Sequence, residues 1–488
     1  MDAPVDEPSI TIDMRRLEGS LRSELDGSIV QRRSKESISI FRVPPNLRMQ
    51  DPKSYDPMVV SIGPYHWRSN NDLIRMERRK QRMAHRLFSK HPNNVGKCLL
   101  EVGKLEIRAR SCYADEIKMG RDDFVKMLVL DGCFIIGVLL CMRSDVKKKR
   151  SGEETMVSEE EEMPDHWVFW DADDEEPMKG GMNNSLYIWG FLCLDLLKVE
   201  NQIPLFIVEA LYDLLVPQTQ GNVDEPISIL LLAEAYLKGN INIFGQHCYK
   251  LVIESERNVN HHLFHLFYKT LLSSTSHHNQ QVRCFQNLKK KQQGQPEVNL
   301  TSNPMRTAVE IKEVGVKFVG KRTCSLHDVA FKKGEMQIPS LFIDDATMPH
   351  LKNLIAFEQC YGDTESIITY YALMMDFLID TPADVKVLCD ANIFTINLGS
   401  EKEVAQMFNE MCKQVGYTIK KESPLLLVYN EVNGYCNSRW NKWRAVLMRN
   451  YFRTPWSTMS VVAAFILLIL TASQTIYSML AYHHPTSH

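Results

Sequence analysis

The chain has 488 residues, 44% of them hydrophobic and 24% charged, a composition that allows a sizeable folded core and excludes wholesale disorder. Its 57 basic and 60 acidic side chains leave a formal net charge of -3. That lacks the basic excess of a nucleic-acid binder, so no nucleic-acid partner is expected.

The first 37 residues are polar and are expected to be poorly ordered, with one short helix near Met14–Leu25. The opening MDAPVDEPSI has no apolar run of the kind a secretory signal needs. Order is expected from Ile38, where ISIFRVP reads as a strand stopped by Pro44 and Pro45. Met58 to Ile62 reads as a second strand, ended by Gly63-Pro64, and Leu73 to Lys90 as a charged amphipathic helix. The most apolar helices are Phe124–Met142 and Leu186–Leu215, the latter broken before Pro204. Charges interrupt both: Lys126 and Asp131 in the first, Asp195, Lys198, Glu200 and Asp213 in the second. Such interruptions suit helices packed in a core better than membrane spans.

Between these helices a basic run, Lys147–Arg150, precedes an acidic one from Glu153 to Glu176, which reads as a solvated loop because it cannot bury enough apolar surface to order itself. His277–Gln295 is a second polar linker. Val314–Val319 and Gln337–Ile343 then read as strands, and Leu351–Cys360, Glu365–Leu378 and Glu401–Lys413 as helices. The expected fold class is α+β: a predominantly α-helical body with a few short strands, plus one C-terminal transmembrane helix. The expected organisation is one body over residues 38–453 with insertions near 145–183 and 275–298, then an anchor over 454–482 and a tail over 483–488.

No charged side chain occurs from Met459 to Tyr482, a stretch of about 36 Å as a helix, enough for a hydrocarbon core of about 30 Å. Val461, Val462, Phe465, Leu467 and Leu470 form its apolar heart. Thr471, Ser473, Gln474, Thr475 and Ser478 soften its second half, which a membrane helix tolerates when such groups bond to the helix itself or to a neighbour. Arg439, Lys442, Arg444, Arg449 and Arg453 crowd the N-terminal flank, with Trp440, Trp443, Tyr451 and Trp456 among them. Basic residues stay cytosolic and aromatic rings settle at the headgroups, so the body is expected in the cytosol and membrane lipid is the expected partner of the helix. Arg439–Arg453 is itself expected to lie on an anionic leaflet, with an ordinary linker as the alternative.

The 12 cysteines form no CxxC pair, and Cys133, Cys141 and Cys193 sit in apolar runs as small hydrophobes do, which points to a reducing compartment. His261 and His265 have the i, i+4 spacing of a zinc-protease helix, yet His262 stands where that helix needs glutamate, so no metal is expected. GVKFVGK, Gly315–Lys321, lacks the Ser or Thr a phosphate loop places after lysine, has Arg322 there instead, and alternates as a strand does; no nucleotide or other cofactor is expected. Asp344 and Asp345 follow a strand and read as turn or helix caps, with catalytic carboxylates as the alternative. Glu200-Asn201-Gln202 is unusual, three polar residues between two very apolar segments. They are expected to be pinned by hydrogen bonds in the core, with Asp131 as a partner; the alternative is a buried ligand site.

Several blocks stand in fixed order: VPPNLRMQDPKSYDPMVVSIGPYHW, LDGCFII, KVENQIPLF, AVEIKEVGVKFV, MQIPSLFIDDAT, NLIAFEQC and NYFRTPWSTMSVVAAFILLILTASQT. In these the chain resembles the plant family called domain of unknown function 247, over roughly Ile38 to Thr475. The resemblance implies a plant protein with one C-terminal transmembrane helix and no assigned catalytic residue. Some grass relatives are associated with pollen self-incompatibility, which implies recognition or signalling. The expected function is a membrane-tethered interaction or recognition module with a protein partner. The alternative is a membrane-bound hydrolase or transferase with a non-standard site.

Overall fold

In a computed structural model of the chain, apart from a few single positions, the described residues are 38–68, 73–89, 94–142, 185–216, 227–241, 262–272, 306–362, 366–416, 424–438 and 455–483. Most of Met14–Leu25, both charged insertions and most of Arg439–Arg453 lie outside them. The body is mostly helical with a few short strands, and an apolar helix ends it. Contacts divide the chain into two units.

The first unit comprises residues up to Pro44, Tyr55–Ala235 and Glu256–Leu266. It holds helices α1 (Ile74–Ser89), α2 (Asn94–Arg110), α3 (Arg121–Leu140), α4 (Ser185–Leu196) and α5 (Leu205–Leu215), and the starts of α6 (Ile229–Asn240) and α7 (Leu263–Leu272). Helix α3 is its centre: 14 of its 20 residues are buried, and it packs against α1, α2 and α5. A helix apolar on all sides needs such cover. Helix α1 is amphipathic, burying Met76, Lys80 and Ala84 at i, i+4 and i+8 while Arg78, Arg82 and Arg86 face out. The apolar stretch from Leu186 to Leu215 is broken as expected, and Pro204 stands at the N-cap of α5. Neither strand expected before Gly63 forms. Ile40 makes a single parallel bridge with Tyr113, and Met58–Ile62 bends at Met58 and Val59 and forms no strand. A run of β-formers bounded by glycine or proline does not tell a strand partner from side-chain partners.

The second unit comprises Pro45–Ser54, Tyr236–Ser255 and the chain from Phe267. Its elements after α7 are α8 (Ala308–Glu313), β1 (Lys317–Lys321), β2 (Ala330–Lys332), β3 (Glu335–Pro339), β4 (Leu341–Ile343), α9 (Thr347–Cys360), α10 (Ile367–Leu378), α11 (Pro382–Asp390), β5 (Phe394–Ile396), α12 (Glu401–Met411), α13 (Pro424–Asn437) and α14 (Pro455–His483). In a three-stranded sheet β3 pairs parallel with β1 and antiparallel with β2, while β4 pairs parallel with β5. The GVKFVGK segment is thus strand β1, as its alternation indicated. Helices α8 and α11 start with capping boxes, Thr307 with Glu310 and Thr381 with Asp384, and Asp384 also accepts from Val309 N (2.9 Å), tying the two helices together.

At Gly320 in β1 the chain passes so close to the turn after α11 that a Cβ would lie 2.1 Å from the Asn392 carbonyl oxygen. That backbone is fixed by Gly320 N donating to Ala391 O (2.9 Å), so it cannot retreat. Gly320→Ala is expected to destabilise the protein by about 1–3 kcal/mol. Gly362→Ala, where a Cβ meets nothing within 4 Å, is expected to stay near wild type. Denaturant unfolding of the two variants side by side checks this.

Candidate functional site: a buried polar clamp

Of the charged residues that interrupt the apolar helices of the first unit, Asp131, Asp195 and Lys198 converge on one stretch of backbone, residues 56–63. Val60, Ser61 and Ile62 are at most 2% exposed, so their peptide groups are cut off from water and need partners. No strand supplies them; side chains do.

Asp195, on the last turn of α4, accepts from three successive amides, Met58 N (3.0 Å), Val59 N (2.6 Å) and Val60 N (2.9 Å). Lys198 lies 3.0 Å from the same carboxylate and donates to Asp56 O. Asn201 behaves like a neighbouring strand: its Oδ1 accepts from Ile62 N (2.6 Å) while its Nδ2 donates to Val60 O (3.0 Å). Asp131, in the middle of α3, accepts from Gly63 N (2.8 Å) and from Lys80 Nζ (2.7 Å). Lys80 also donates to Ser61 O and pairs with Glu77. Burial alone would pull the Lys80 ammonium down, yet Asp131 and Glu77 hold it above its usual value. Burial pushes the Asp131 carboxyl upward, opposed by Lys80 and Gly63 N–H.

Glu200 and Gln202 hold the surroundings of this stretch. Glu200 accepts from Val43 N and lies 2.9 Å from His66 Nε2. Gln202 donates to Leu196 O (2.8 Å) and Lys198 O (2.9 Å), closing the C-terminal end of α4, and accepts from Phe264 N (3.1 Å) in the first turn of α7. Tyr113 donates to Gln202 O (3.1 Å). Gly63 completes the clamp: with φ +77, a Cβ there would lie 2.3 Å from that same carbonyl.

The sequence-designated residues Asp131, Glu200, Asn201 and Gln202 are therefore all buried in one network. Asp131 reaches the others through the Ser61–Gly63 backbone. Lys80, Asp195, Lys198 and His66 belong to the same network; Asp195 and Lys198 were signalled by charge inside an apolar stretch, whereas Lys80 in a charged helix and His66 in a bend carried no such signal. The cavity beside Asn201 and Gln202, walled by Ile135, Leu139, Leu205 and Val208, holds about 10 Å³, the room of a single water.

The other candidates serve as caps. His262 accepts from His265 N at Nδ1 (3.2 Å), so its Nε2, 2.9 Å from Ser39 O, carries the proton. His261 lies outside the described residues. Asp344 accepts from Ala346 N (3.1 Å) and from the Thr347 hydroxyl (2.8 Å), closing the turn into α9. A carboxylate that sequence reasoning missed, Glu358 of α9, accepts from Ile368 N (3.0 Å), Thr369 N (2.7 Å), the Thr369 hydroxyl (2.7 Å) and the Tyr268 hydroxyl (3.1 Å). It caps α10 from outside, because Ser366 at the N-cap has φ +53 and makes no side-chain cap. Burial still raises its pKa. Among the described residues no group of three metal-ligating side chains converges, and burial pushes the Cys133 and Cys412 thiols up to about 12. Of the interface residues, Trp443 and Trp456 are exposed, while Trp440, Arg449 and Arg453 lie outside the described residues.

Two outcomes follow. Lys80→Met leaves the Asp131 carboxylate without its cation and is expected to cost about 3–5 kcal/mol. Adding Asp131→Asn, which keeps an acceptor for Gly63 N–H, should recover part of that loss in a double-mutant unfolding cycle. An Lys80→Met variant as stable as wild type would refute the clamp. Separately, burial raises the half-buried Asp376 of α10 from 3.8 to about 6, with Lys413 opposing. Between about pH 4 and 6 the unfolded chain releases this proton while the folded one keeps it, so stability falls as pH rises through that window. Asp376→Asn should raise the melting temperature at pH 7, with the gap closing below about pH 4.

A family model for a plant protein of unknown function (DUF247) matches residues 40–470. The UPF0481 protein At3g47200 of Arabidopsis thaliana is 29% identical over 469 residues, covering 93% of this chain and 89% of that one. A second UPF0481 protein of the same plant, At3g02645, is 24% identical, covering 93% of both. No solved structure matches. With residues 40–470, about seven-eighths of its length, under one family model, the chain belongs to the DUF247 family of plant proteins.

Proposed function

We propose that the chain is a membrane-tethered interaction module whose body lies in the cytosol. The observation that carries this reading is helix α14. It runs 29 residues, and Met459–Leu480 within it is apolar enough to cross a bilayer with none of it buried against the body. Phe465, Leu467 and Leu470 are exposed, as is Val462, while Val461 is partly covered. A helix this apolar and so little covered is poorly suited to water; hydrocarbon supplies the missing cover. The basic flank from Arg439 to Arg453 supports a cytosolic body.

Interaction is favoured over catalysis by what the buried polar groups do. The carboxylates of Asp131, Asp195 and Glu200 are engaged with backbone amides, and the cavity beside Asn201 and Gln202 has room for a water and for no substrate. A protein partner in recognition or signalling is the role in keeping with the family resemblance.

Synthesis of the full chain with microsomes tests the tether. The expected result is a carbonate-resistant chain whose body is digested by added protease and whose sequons at Asn183 and Asn299 stay unmodified, since glycosylation occurs only in the lumen. A chain ending at residue 454 should stay in the supernatant. Carbonate extraction of the full chain would overturn the tether, and glycosylated sequons would overturn the cytosolic body.

A further inference from the structure

We propose that α14 pairs with a second copy of itself in the bilayer, in parallel, along the seam Ser460, Ala464, Leu467, Thr471, Gln474 and Ser478. This rests on the membrane-tether reading. The six residues recur at intervals of four and three, the 3.5-residue period of a left-handed helix pair. Five of the six are small or polar, whereas Phe465, Ile466, Leu468, Ile469, Ile476 and Leu480 lie on the other faces. Small side chains let two backbones approach closely, which is the main source of helix association in lipid.

Gln474 gives the seam its occupant. The hydroxyls of Ser460, Thr471 and Thr475 donate to the carbonyls of Trp456 (3.0 Å), Leu467 (2.8 Å) and Thr471 (2.8 Å), so they are satisfied within one helix. Among the described residues none takes the Gln474 amide, and that side chain is exposed. An amide carries two donors and an acceptor oxygen, and leaving them unpaired in hydrocarbon is costly. Because it both donates and accepts, the amide is complementary to another Gln474 across a two-fold axis. A second copy inserted in the same orientation brings that group to the same depth by construction. Any other partner would need a polar group placed there independently.

The test uses the full chain, labelled with donor or acceptor dye and reconstituted in phosphatidylcholine vesicles, with carbonate extraction run in parallel. Wild type and Gln474→Asn should both show energy transfer. Gln474→Leu should stay carbonate-resistant while its association constant drops about tenfold, as expected from losing one interhelical amide pair in lipid. Equal association of Gln474→Leu and wild type would overturn the seam, as would a carbonate-resistant wild type that stays monomeric. A wild type extracted by carbonate would overturn the tether itself and the seam with it, so the two failures are distinguishable.

Discussion

A peptide group taken out of water must find a partner, and residues 56–63 are where the first unit meets that demand by an uncommon route. A buried extended segment is ordinarily paired by a strand. Here eight of its backbone groups, from Asp56 O to Gly63 N, are taken by the side chains of Lys80, Asp131, Asp195, Lys198 and Asn201. Those side chains project from α1, α3, the end of α4 and the turn after it. One irregular segment is thereby bonded to three helices, and each helix carries polar residues its apolar surroundings would otherwise exclude. The interior of α3 is the plainest case: Asp131 sits among thirteen other buried residues because Gly63 N–H and the Lys80 ammonium both need it.

Buried charge is handled in two ways. In the clamp the carboxylates of Asp131 and Asp195 each face an ammonium group as well as amide hydrogens. Glu358 has amide and hydroxyl donors instead, set at the start of α10 where unpaired N–H groups and the helix dipole favour negative charge. The Glu358 carboxyl is still raised by its burial, so dipoles replace solvation only in part. The Lys80 ammonium is held above its usual value, where neighbouring carboxylates outweigh burial. The Asp131 carboxyl is raised by burial as well, so each member of the pair depends on the other to offset its loss of water. That is why removal of one partner is expected to cost far more than removal of both.

Much of this was legible in the sequence, for reasons that differ from element to element. Helices α1, α3, α4, α5, α9, α10 and α12 could be placed because their apolar residues form long runs or a helical period, and the break at Pro204 because the ring forbids continuation, while α2, α6, α8, α11 and α13 were not read. Glu200-Asn201-Gln202 stood out because three polar residues between apolar segments demand partners. Their partners were not legible: Asn201 bonds to Ile62 across 139 positions, and nothing local encodes that. The strand readings at Ile38 and Met58 failed for the same reason, since a run of β-formers bounded by proline or glycine is silent about what pairs with its backbone. Glu358 was invisible because its role depends on Ser366 turning left-handed eight residues later.

Under the proposed tether, the rule that shapes the core extends to α14. In the body, an unpaired polar group is satisfied by bringing a distant side chain to it through folding. In a lone helix surrounded by lipid no distant part of the chain can arrive, so each polar group must bond within its own helix or to another helix. Threonine and serine take the first course, since a short hydroxyl reaches back one turn, as Thr471 and Thr475 do. Glutamine has a longer side chain and two kinds of group to satisfy, and a neighbour at its own depth satisfies both at once. In the proposed pair the polar residues of α14 thus play the part Asp131 plays in α3: they are tolerated in apolar surroundings because something specific meets them.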